Sequence, residues 1–348
     1  MKEQILVTGG TGYIGSHTVA ELQQQGYEVV IVDNLSNSRI EVVDQIAAIT
    51  GKRPAFVNLD LTDSEGVCAF FDNHPEVKAV IHFAASKAVG ESVEKPLMYY
   101  HNNLFSLINL LDQMHEHAVQ HLVFSSSCTV YGQPEELPVK ESAPVQKAMS
   151  PYGNTKQIAE EIIGDQAQVS PLHAVLLRYF NPIGAHASAN IGELPLGVPN
   201  NLVPYITQTA IGLRAQLKVF GDDYPTPDGT PIRDYIHVSD LAKAHVKALE
   251  RMLEKNQKEN VEIFNIGTGT GYSVLEVIGS FERVSDQKLN YKIVGRRAGD
   301  ITSVWADTQL ANEVLGWKAE KNLDEMMLSA WRWELALAKE KGNLSDQK

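Results

Sequence analysis

The 348-residue chain has little cysteine, few basic residues and no long hydrophobic run. Its two cysteines, Cys68 and Cys128, are too few for a disulfide scaffold, which favours a reducing compartment. No apolar segment approaches the roughly 20 residues that a membrane-spanning helix needs. Because the sequence enters a strand-like run at once, we expect no targeting segment and a cytoplasmic protein.

Positive charge is also scarce: 43 acidic residues oppose 30 basic ones, and the formal net charge is -13 at pH 7. Such a surface repels phosphate backbones and anionic lipids, so neither nucleic acid nor a membrane is expected as a partner. Nothing near His82 or His101 has the spacing of metal ligands, so we interpret both as structural residues and expect no metal. Any anionic ligand must be bound by a few local cations.

The first half of the chain alternates short apolar runs with amphipathic segments. Strand-like runs include QILVTGG, EVVIVDN, AFVNLD, KAVIHFAA, HLVFSSS and HAVLLRYFN. Helical patterns follow the first strand and recur near residues 63–73, 97–117 and 151–167. This alternation predicts an α/β fold with a doubly wound parallel sheet, a Rossmann domain, over residues 1–180.

The second half has a different texture, with loops rich in glycine, proline and asparagine between shorter elements. We expect a smaller α/β domain over residues 181–348, which would bind the substrate. A strand end and an amphipathic helix near residues 236–262 are expected to return and pack on the first domain. Ligands of such sheets bind at the carboxyl ends of the strands, so functional residues should follow the strands.

A glycine loop follows the first strand. Gly9, Gly12 and Gly15 in VTGGTGYIGS would permit a tight turn and a close approach to a pyrophosphate, although the spacing departs from GxGxxG. Asp33 ends the second strand about twenty residues further on, where an acid accepts hydrogen bonds from adenosine ribose hydroxyls and repels a 2′-phosphate. These residues favour NAD over NADP. A simple glycine turn followed by a capping aspartate remains the alternative.

Later strand ends would line the rest of the same pocket. Lys87, after the fourth strand, could reach the nicotinamide ribose. The amide of Asn102 could face the cofactor or be a satisfied core group, and both interpretations stay open. The other residues expected around NAD are Tyr13, Ile14, Asn34, Asp60, Leu61, Phe83, Ala84, Ser125 and Phe180.

The stretch SPYGNTK predicts a helix start that carries chemistry. Ser150 can cap the helix, and Tyr152 and Lys156 would lie one turn apart on one face. Ser127 in FSSSCTVYG ends the fifth strand and should lie beside them. A phenol has a pKa of about 10. A nearby ammonium and the positive nicotinamide ring would favour the phenolate, so that Tyr152 could act as a base.

These motifs are similar to those of the extended short-chain dehydrogenase/reductases. FNPIGAH, PNNLVPYI, GTPIRDYIHV and FNIGTGTGYSV extend the resemblance to the UDP-glucose 4-epimerase family over nearly the whole chain. The resemblance implies NAD-dependent interconversion of UDP-glucose and UDP-galactose. Tyr152 would take the proton of the sugar 4-hydroxyl while the C4 hydride moves to NAD, and the 4-keto sugar would turn over before the hydride returns. Ser127 would bridge substrate and tyrosine, and Lys156 would orient the nicotinamide ribose and tune the tyrosine.

The same resemblance implies a UDP-sugar site and a homodimer, whose interface would pair the helix near 97–117 with the helix that follows Tyr152. Val304 stands where hexose-only members tend to carry tyrosine. Its smaller side chain would leave room beside the sugar C2 substituent, so UDP-N-acetylglucosamine and its galacto epimer could also be accepted. Besides Ser127 and Tyr152, the substrate-binding residues implied are Lys87, Asn181, Asn201, Leu202, Phe220, Arg233, Arg297, Asp300 and Val304.

Other functions remain open from the sequence. A related epimerase could be specific for N-acetylhexosamines or uronic acids. A dehydratase or decarboxylase of the superfamily would need acid–base groups in place of Cys128 and Thr129. A non-catalytic NAD-sensing regulator could keep the glycine loop but would not need Tyr152 and Lys156.

Overall fold

The computed structural model describes residues 3–297, 300–340 and 342. Its strands, numbered along the chain, are β1 (Gln4–Thr8), β2 (Glu28–Asp33), β3 (Ala55–Asn58), β4 (Val77–His82), β5 (His121–Ser125), β6 (His173–Tyr179), β7 (Asn181–Ile183), β8 (Leu217–Phe220), β9 (Ile232–His237), β10 (Val261–Ile266), β11 (Gly271–Ser273), β12 (Tyr291–Val294) and β13 (Ser303–Val304). The α-helices are α1 (Tyr13–Gln24), α2 (Glu41–Thr50), α3 (Ser64–Asn73), α4 (Val89–Glu94), α5 (Pro96–Tyr100), α6 (Ser106–Glu116), α7 (Pro151–Val169), α8 (Leu202–Ala210), α9 (Val238–Leu253), α10 (Val274–Ser285) and α11 (Leu323–Glu340).

A seven-stranded parallel sheet forms the centre, with strand order β10-β6-β5-β4-β1-β2-β3. The chain winds outward from β1 in one direction and from β4 in the other, so the strand order reverses between these two strands. A crevice at the carboxyl ends is expected at such a reversal. The Rossmann sheet predicted from the sequence is confirmed.

The strands of this sheet are apolar on both faces because helices cover both. Ile5 and Val7 of β1 join the core beneath α1 and α9, whereas Leu6 joins the core beneath α3, α6 and α7. Alternation along the strand sends neighbours to opposite faces. Each fully buried aliphatic side chain contributes about 1.5–3 kcal/mol, so this centre rigidly positions the loops at its edge.

The second half of the chain builds two small sheets and a helical layer. Strands β7, β9, β11 and β13 form one sheet, and β8 pairs with β12. Helices α8, α10 and α11 share a separate hydrophobic core. The return segment predicted near 236–262 corresponds to α9, which packs on α1, and β10 extends it to Ile266 at the edge of the main sheet. The division of the chain at residue 180 stays a prediction.

The predicted helices appear as α3, as α7, and as α5 and α6 joined by a π-helical turn over His101–Phe105. The sequence pattern does not predict α2. Its ten residues, EVVDQIAAIT, include several β-branched side chains that favour strands. The segment is helical because a helix packs Val43 and Ile46 into the core. Among the described residues no helix has the length and apolarity needed to cross a membrane.

Candidate active site

The glycine loop between β1 and α1 is closely packed. Gly9 has a φ of +70°, and a Cβ there would lie 2.8 Å from the backbone nitrogen of Ala84. A Cβ on Gly15 would overlap the carbonyl oxygen of Gly9. Gly12 is the N-cap of α1, and within the described chain no side chain caps that helix. The first N–H groups of α1, beginning at Tyr13 and Ile14, are therefore available to a phosphate group.

Acidic residues end β2 and follow β3, on the side of the sheet beyond the glycine loop. Asp33 accepts hydrogen bonds from the backbone nitrogens of Thr11 (3.2 Å) and Leu35 (2.9 Å). Its Oδ2 atom bonds only Thr11 within the described chain, so it can accept another hydrogen bond. Asn34 donates to Asp60 Oδ2 at 2.9 Å. Leu61 is buried directly after Asp60. The arrangement leaves Asp33 able to accept another hydrogen bond, and its contact with a ribose hydroxyl stays a prediction.

The amide of Asn102 is directed at the loop after β4. It lies in the π-helical turn and donates to Ser86 Oγ (3.2 Å) and Asn103 Oδ1 (3.0 Å). The neighbouring Asn103, which the sequence did not single out, is buried and donates to Ser86 O (3.0 Å) and Thr155 Oγ1 (3.1 Å). Asn103 thus ties this loop to α7. Two adjacent asparagines gave no signal as to which one faces inward.

Tyr152, Lys156 and the serines after β5 meet at the same edge of the sheet. Ser150 caps α7 by accepting from Gly153 N at 3.1 Å. Tyr152 is 7% exposed and Lys156 6% exposed. Lys156 Nζ donates to Ser125 O at 2.8 Å and lies 4.7 Å from the centre of the Phe124 ring.

In the protein by itself, burial rather than Lys156 dominates the pKa of Tyr152; the lowering expected from Lys156 together with a bound nicotinamide ring stays a prediction. Burial raises the pKa of Tyr152 well above its ordinary value, nearby Tyr179 adds to this, and a hydrogen bond from Ser127 acts in the opposite direction. Burial also lowers the pKa of Lys156 to about 8, although Glu160 on the next turn raises it. The ammonium is directed at a backbone carbonyl rather than at the phenol, so the protein alone does not hold a phenolate.

A second group of predicted residues gathers around β9 and the segment that follows β12. Arg297 donates to Asp300 Oδ1 at 2.8 Å, and Arg233 lies 3.7 Å from the same oxygen. The Arg297 guanidinium is 5.9 Å from the centre of the Phe220 ring. One carboxylate thus holds two arginines beside an aromatic ring, which suits a diphosphate next to a base.

Val304 connects this group to the Ser127 side of the cleft. It pairs with Arg233 between β13 and β9 and is 4% exposed. Its hydrophobic cluster includes Phe180 and Cys128, the residue that follows Ser127. Val304 is therefore packed in the same cluster as the residue that follows Ser127.

The remaining predicted substrate residues lie on the second half of the chain and on the loop after β4. Asn181 pairs with Tyr235 between β7 and β9. Asn201 is the N-cap of α8, and Leu202 begins that helix. Lys87 Nζ lies 5.9 Å from the centre of the Tyr13 ring, and the Tyr13 hydroxyl donates to a backbone carbonyl of the loop after β7.

Sequence reasoning missed two largely covered carboxylates near the site, Glu160 and Glu193. Glu160 pairs with Arg178 at 2.5 Å and accepts from Ser126 Oγ at the same distance. Its place one turn after Lys156 on α7 was the available signal. Glu193, in the loop between β7 and α8, lies 3.8 Å from Lys87 and gave no signal of its own.

Phe83, one of the residues expected around NAD, follows β4, and its ring centre lies 4.6 Å from that of the buried His245.

Comparison with known proteins agrees with this geometry. The family model described as GDP-mannose 4,6 dehydratase matches residues 6–329. A UDP-glucose 4-epimerase of Bacillus subtilis is 52% identical over 331 residues, which cover 95% of this chain and 96% of the relative. The chain belongs to the UDP-glucose 4-epimerase family.

Solved structures of the family share the whole fold. The UDP-glucose-4-epimerase of Stenotrophomonas maltophila, with bound NAD and formylated UDP-arabinopyranose, superimposes with a TM-score of 0.94 at 50% identity, covering 97% of this chain and all of the other. The enzyme of Bifidobacterium longum, in complex with NAD+ and UDP, gives 0.91 at 46% identity, with 96% and 98% covered. The expected relationship is thus confirmed.

Proposed function

We propose that this protein is an NAD-dependent UDP-glucose 4-epimerase, which interconverts UDP-glucose and UDP-galactose through a 4-keto sugar. One observation carries the proposal. Tyr152 and Lys156 are buried together with the serines that follow β5, at the edge of the sheet where the glycine loop leads into a helix without a side-chain cap. A regulator that only senses NAD would not need such a group.

The residues at the glycine loop fit NAD. Gly9 and Gly15 leave no room for a side chain, the start of α1 has free N–H groups, and Asp33 can accept another hydrogen bond. Bound there, NAD⁺ supplies the hydride acceptor of the reaction and a positive charge near the phenol. The carboxylate of Asp33 disfavours the 2′-phosphate of NADP.

Tyr152 acts as the base that takes the proton of the sugar 4-hydroxyl. Ser127 donates a hydrogen bond to its oxygen and so stabilises the negative charge that forms during proton transfer. Lys156, with a pKa of about 8, is largely protonated at neutral pH and adds a positive charge in the same buried region. Their joint action counters the raised pKa that burial alone gives the phenol.

Arg233 and Arg297 bind the diphosphate, and Phe220 contacts the uracil. These contacts are made to the nucleotide and not to the sugar carbon that reacts. Binding the nucleotide rather than the sugar leaves the sugar free to turn and present its other face. Asp300 keeps both guanidinium groups in place through its contacts of 2.8 and 3.7 Å.

Incubation of the purified protein with UDP-galactose, without added NAD, tests the proposal. UDP-glucose should accumulate to a constant ratio, and its absence even after NAD is supplied would overturn the proposal. A dehydratase would instead release water and leave a 4-keto-6-deoxy sugar. Burial raises the pKa of Cys128 to about 12, so its thiol and the Thr129 hydroxyl offer no acid–base pair for that elimination.

We also propose that the sugar pocket accepts N-acetylhexosamines, because valine at position 304 is small and packs in the same cluster as Cys128, the residue after Ser127. The kcat/KM values for both sugar pairs test this. Val304→Tyr should keep hexose turnover and reduce N-acetylhexosamine turnover at least about tenfold. Wild-type protein that fails to convert UDP-N-acetylglucosamine would refute the idea.

A second copy of the chain is the proposed partner. Leu97 is 81% exposed and Phe105 50% exposed, and together with Ile108 they form an apolar stripe along α5 and α6. Two such stripes can pack antiparallel and remove each other from water. Sedimentation should give a dimer at micromolar concentration, and Phe105→Glu should give monomers.

The free thiols of Cys68 and Cys128 are consistent with action in the cytoplasm.

A further inference from the structure

We propose that Glu193 is a positioning residue for the UDP-sugar, because it bridges two ligand-binding side chains on opposite sides of the cleft. Asn201 Nδ2 donates to Glu193 Oε1 at 2.5 Å, and Lys87 Nζ lies 3.8 Å from the same oxygen. Lys87 belongs to the loop after β4, whereas Asn201 is the N-cap of α8 in the second half of the chain. The inference rests on the proposed function and on the substrate contacts that the family resemblance implies for both residues.

Glu193 is itself held in place by α11. Trp333 is buried and donates from Nε1 to the backbone oxygen of Glu193 at 2.9 Å. Gly192 packs flat on the Trp333 indole, where a Cβ would lie 2.6 Å from the ring. The Glu193 side chain is only 12% exposed. Its carboxylate is therefore presented from a fixed backbone rather than from a free loop.

The bridge changes what Asn201 would otherwise do. Asn201 is the N-cap of α8 with extended backbone angles, φ -94° and ψ 149°, and asparagine is among the best capping residues. Yet within the described chain its Oδ1 accepts no cap hydrogen bond, and the side chain is oriented instead by the donation from its Nδ2 to Glu193. Without Glu193 the side chain could rotate so that Oδ1 accepts from the first turn of α8, which would carry the amide away from Lys87.

Glu193 could act through its negative charge or through its oxygen as a hydrogen-bond acceptor, and these two roles can be distinguished. Burial raises the pKa of Glu193, while Lys87 and the Asn201 amide lower it, and Tyr13 faces it from α1. A negative charge does not favour a nearby diphosphate, so the useful property of Glu193 is its hydrogen-bond acceptor. Glutamine retains an acceptor of the same reach without the charge.

Matched variants of the intact protein test the bridge by their binding of UDP and their turnover of UDP-galactose. Glu193→Ala should raise the Kd for UDP and the KM for UDP-galactose about tenfold, equivalent to about 1.4 kcal/mol, with kcat within about twofold. Glu193→Gln should bind like wild type. In a background that carries both Lys87→Ala and Asn201→Ala, Glu193→Ala should have little further effect, since both side chains that it positions are gone.

Several results would overturn the inference: an unchanged Kd in Glu193→Ala, a Glu193→Gln protein that binds as weakly as Glu193→Ala, or a full loss from Glu193→Ala in the background that lacks both Lys87 and Asn201 side chains. Glu193→Leu, which fills the volume without an acceptor, replaces the alanine variant if that one does not fold. If wild-type protein turns over no UDP-sugar, the proposed function fails first. If wild type is active and only these variants disagree, Glu193 alone is misassigned.

Discussion

Four buried histidines make the stability of this protein depend on pH. Burial lowers the pKa of His17 and His82 to about 3 and that of His237 and His245 to about 4. The Nε2 atoms of His17 and His245 have no hydrogen-bond partner within the described part of the chain. These rings are neutral in the folded protein and cannot accept a proton without losing burial or contacts.

The sign and size of the effect follow from proton linkage. An unfolded histidine has a pKa of about 6.5, so below neutral pH the unfolded chain binds more protons than the folded one. Lowering the pH from 7 to 6 then costs about 0.7 kcal/mol of unfolding free energy per histidine, or about 3 kcal/mol for all four. Burial raises the pKa of Asp234 and Asp240, which gives a contribution of the opposite sign.

Urea unfolding followed by tryptophan fluorescence at pH 7 and pH 6, with the same ligand content, measures this change. The free energy of unfolding should fall by about 3 kcal/mol. His245→Gln is the matched variant: whatever its absolute stability, its loss between the two pH values should be smaller by about 0.7 kcal/mol. Stability that stays constant or rises toward pH 6 would refute the assignment of these four rings as buried and neutral.

Three substitutions test other parts of the structure. Asp234→Asn should lower the unfolding free energy by about 3 kcal/mol, measured by urea, because its carboxylate accepts from backbone N–H groups of the loop after β10 and the segment after β13; no loss would contradict those bonds. Glu160→Gln should cost about 3–5 kcal/mol in the same assay, since it leaves the buried Arg178 without its countercharge. Gly15→Ala should reduce NAD content of the purified protein, whereas Gly164→Ala, in open space on α7, should leave it unchanged; equal NAD content would contradict the close packing of the loop.

Features carried by short, local patterns could be predicted from the sequence. The strands of the main sheet are apolar runs that packing requires on both faces, and the helix that starts at Ser150 has a cap and a proline in its first turn. The spacing of Tyr152 and Lys156 places them on one face of α7 whatever the rest of the chain does.

Features that depend on distant contacts could not be predicted. Glu193 is fixed by Trp333, 140 residues later in the chain. The direction of the Lys156 ammonium depends on where the carbonyl of Ser125 lies, which local spacing does not report. Helix α2 forms because Val43 and Ile46 reach the core, against the preference of its β-branched residues.

The most direct test of the central claim compares wild type with Tyr152→Phe, using UDP-galactose and no added NAD. Wild type should form UDP-glucose. The variant should lose about 10²–10⁴-fold in kcat, as expected for removal of a general base, while its Kd for UDP stays within about twofold of wild type. A Tyr152→Phe protein that turns over UDP-galactose at the wild-type rate would contradict the account, because another group would then have to take the proton.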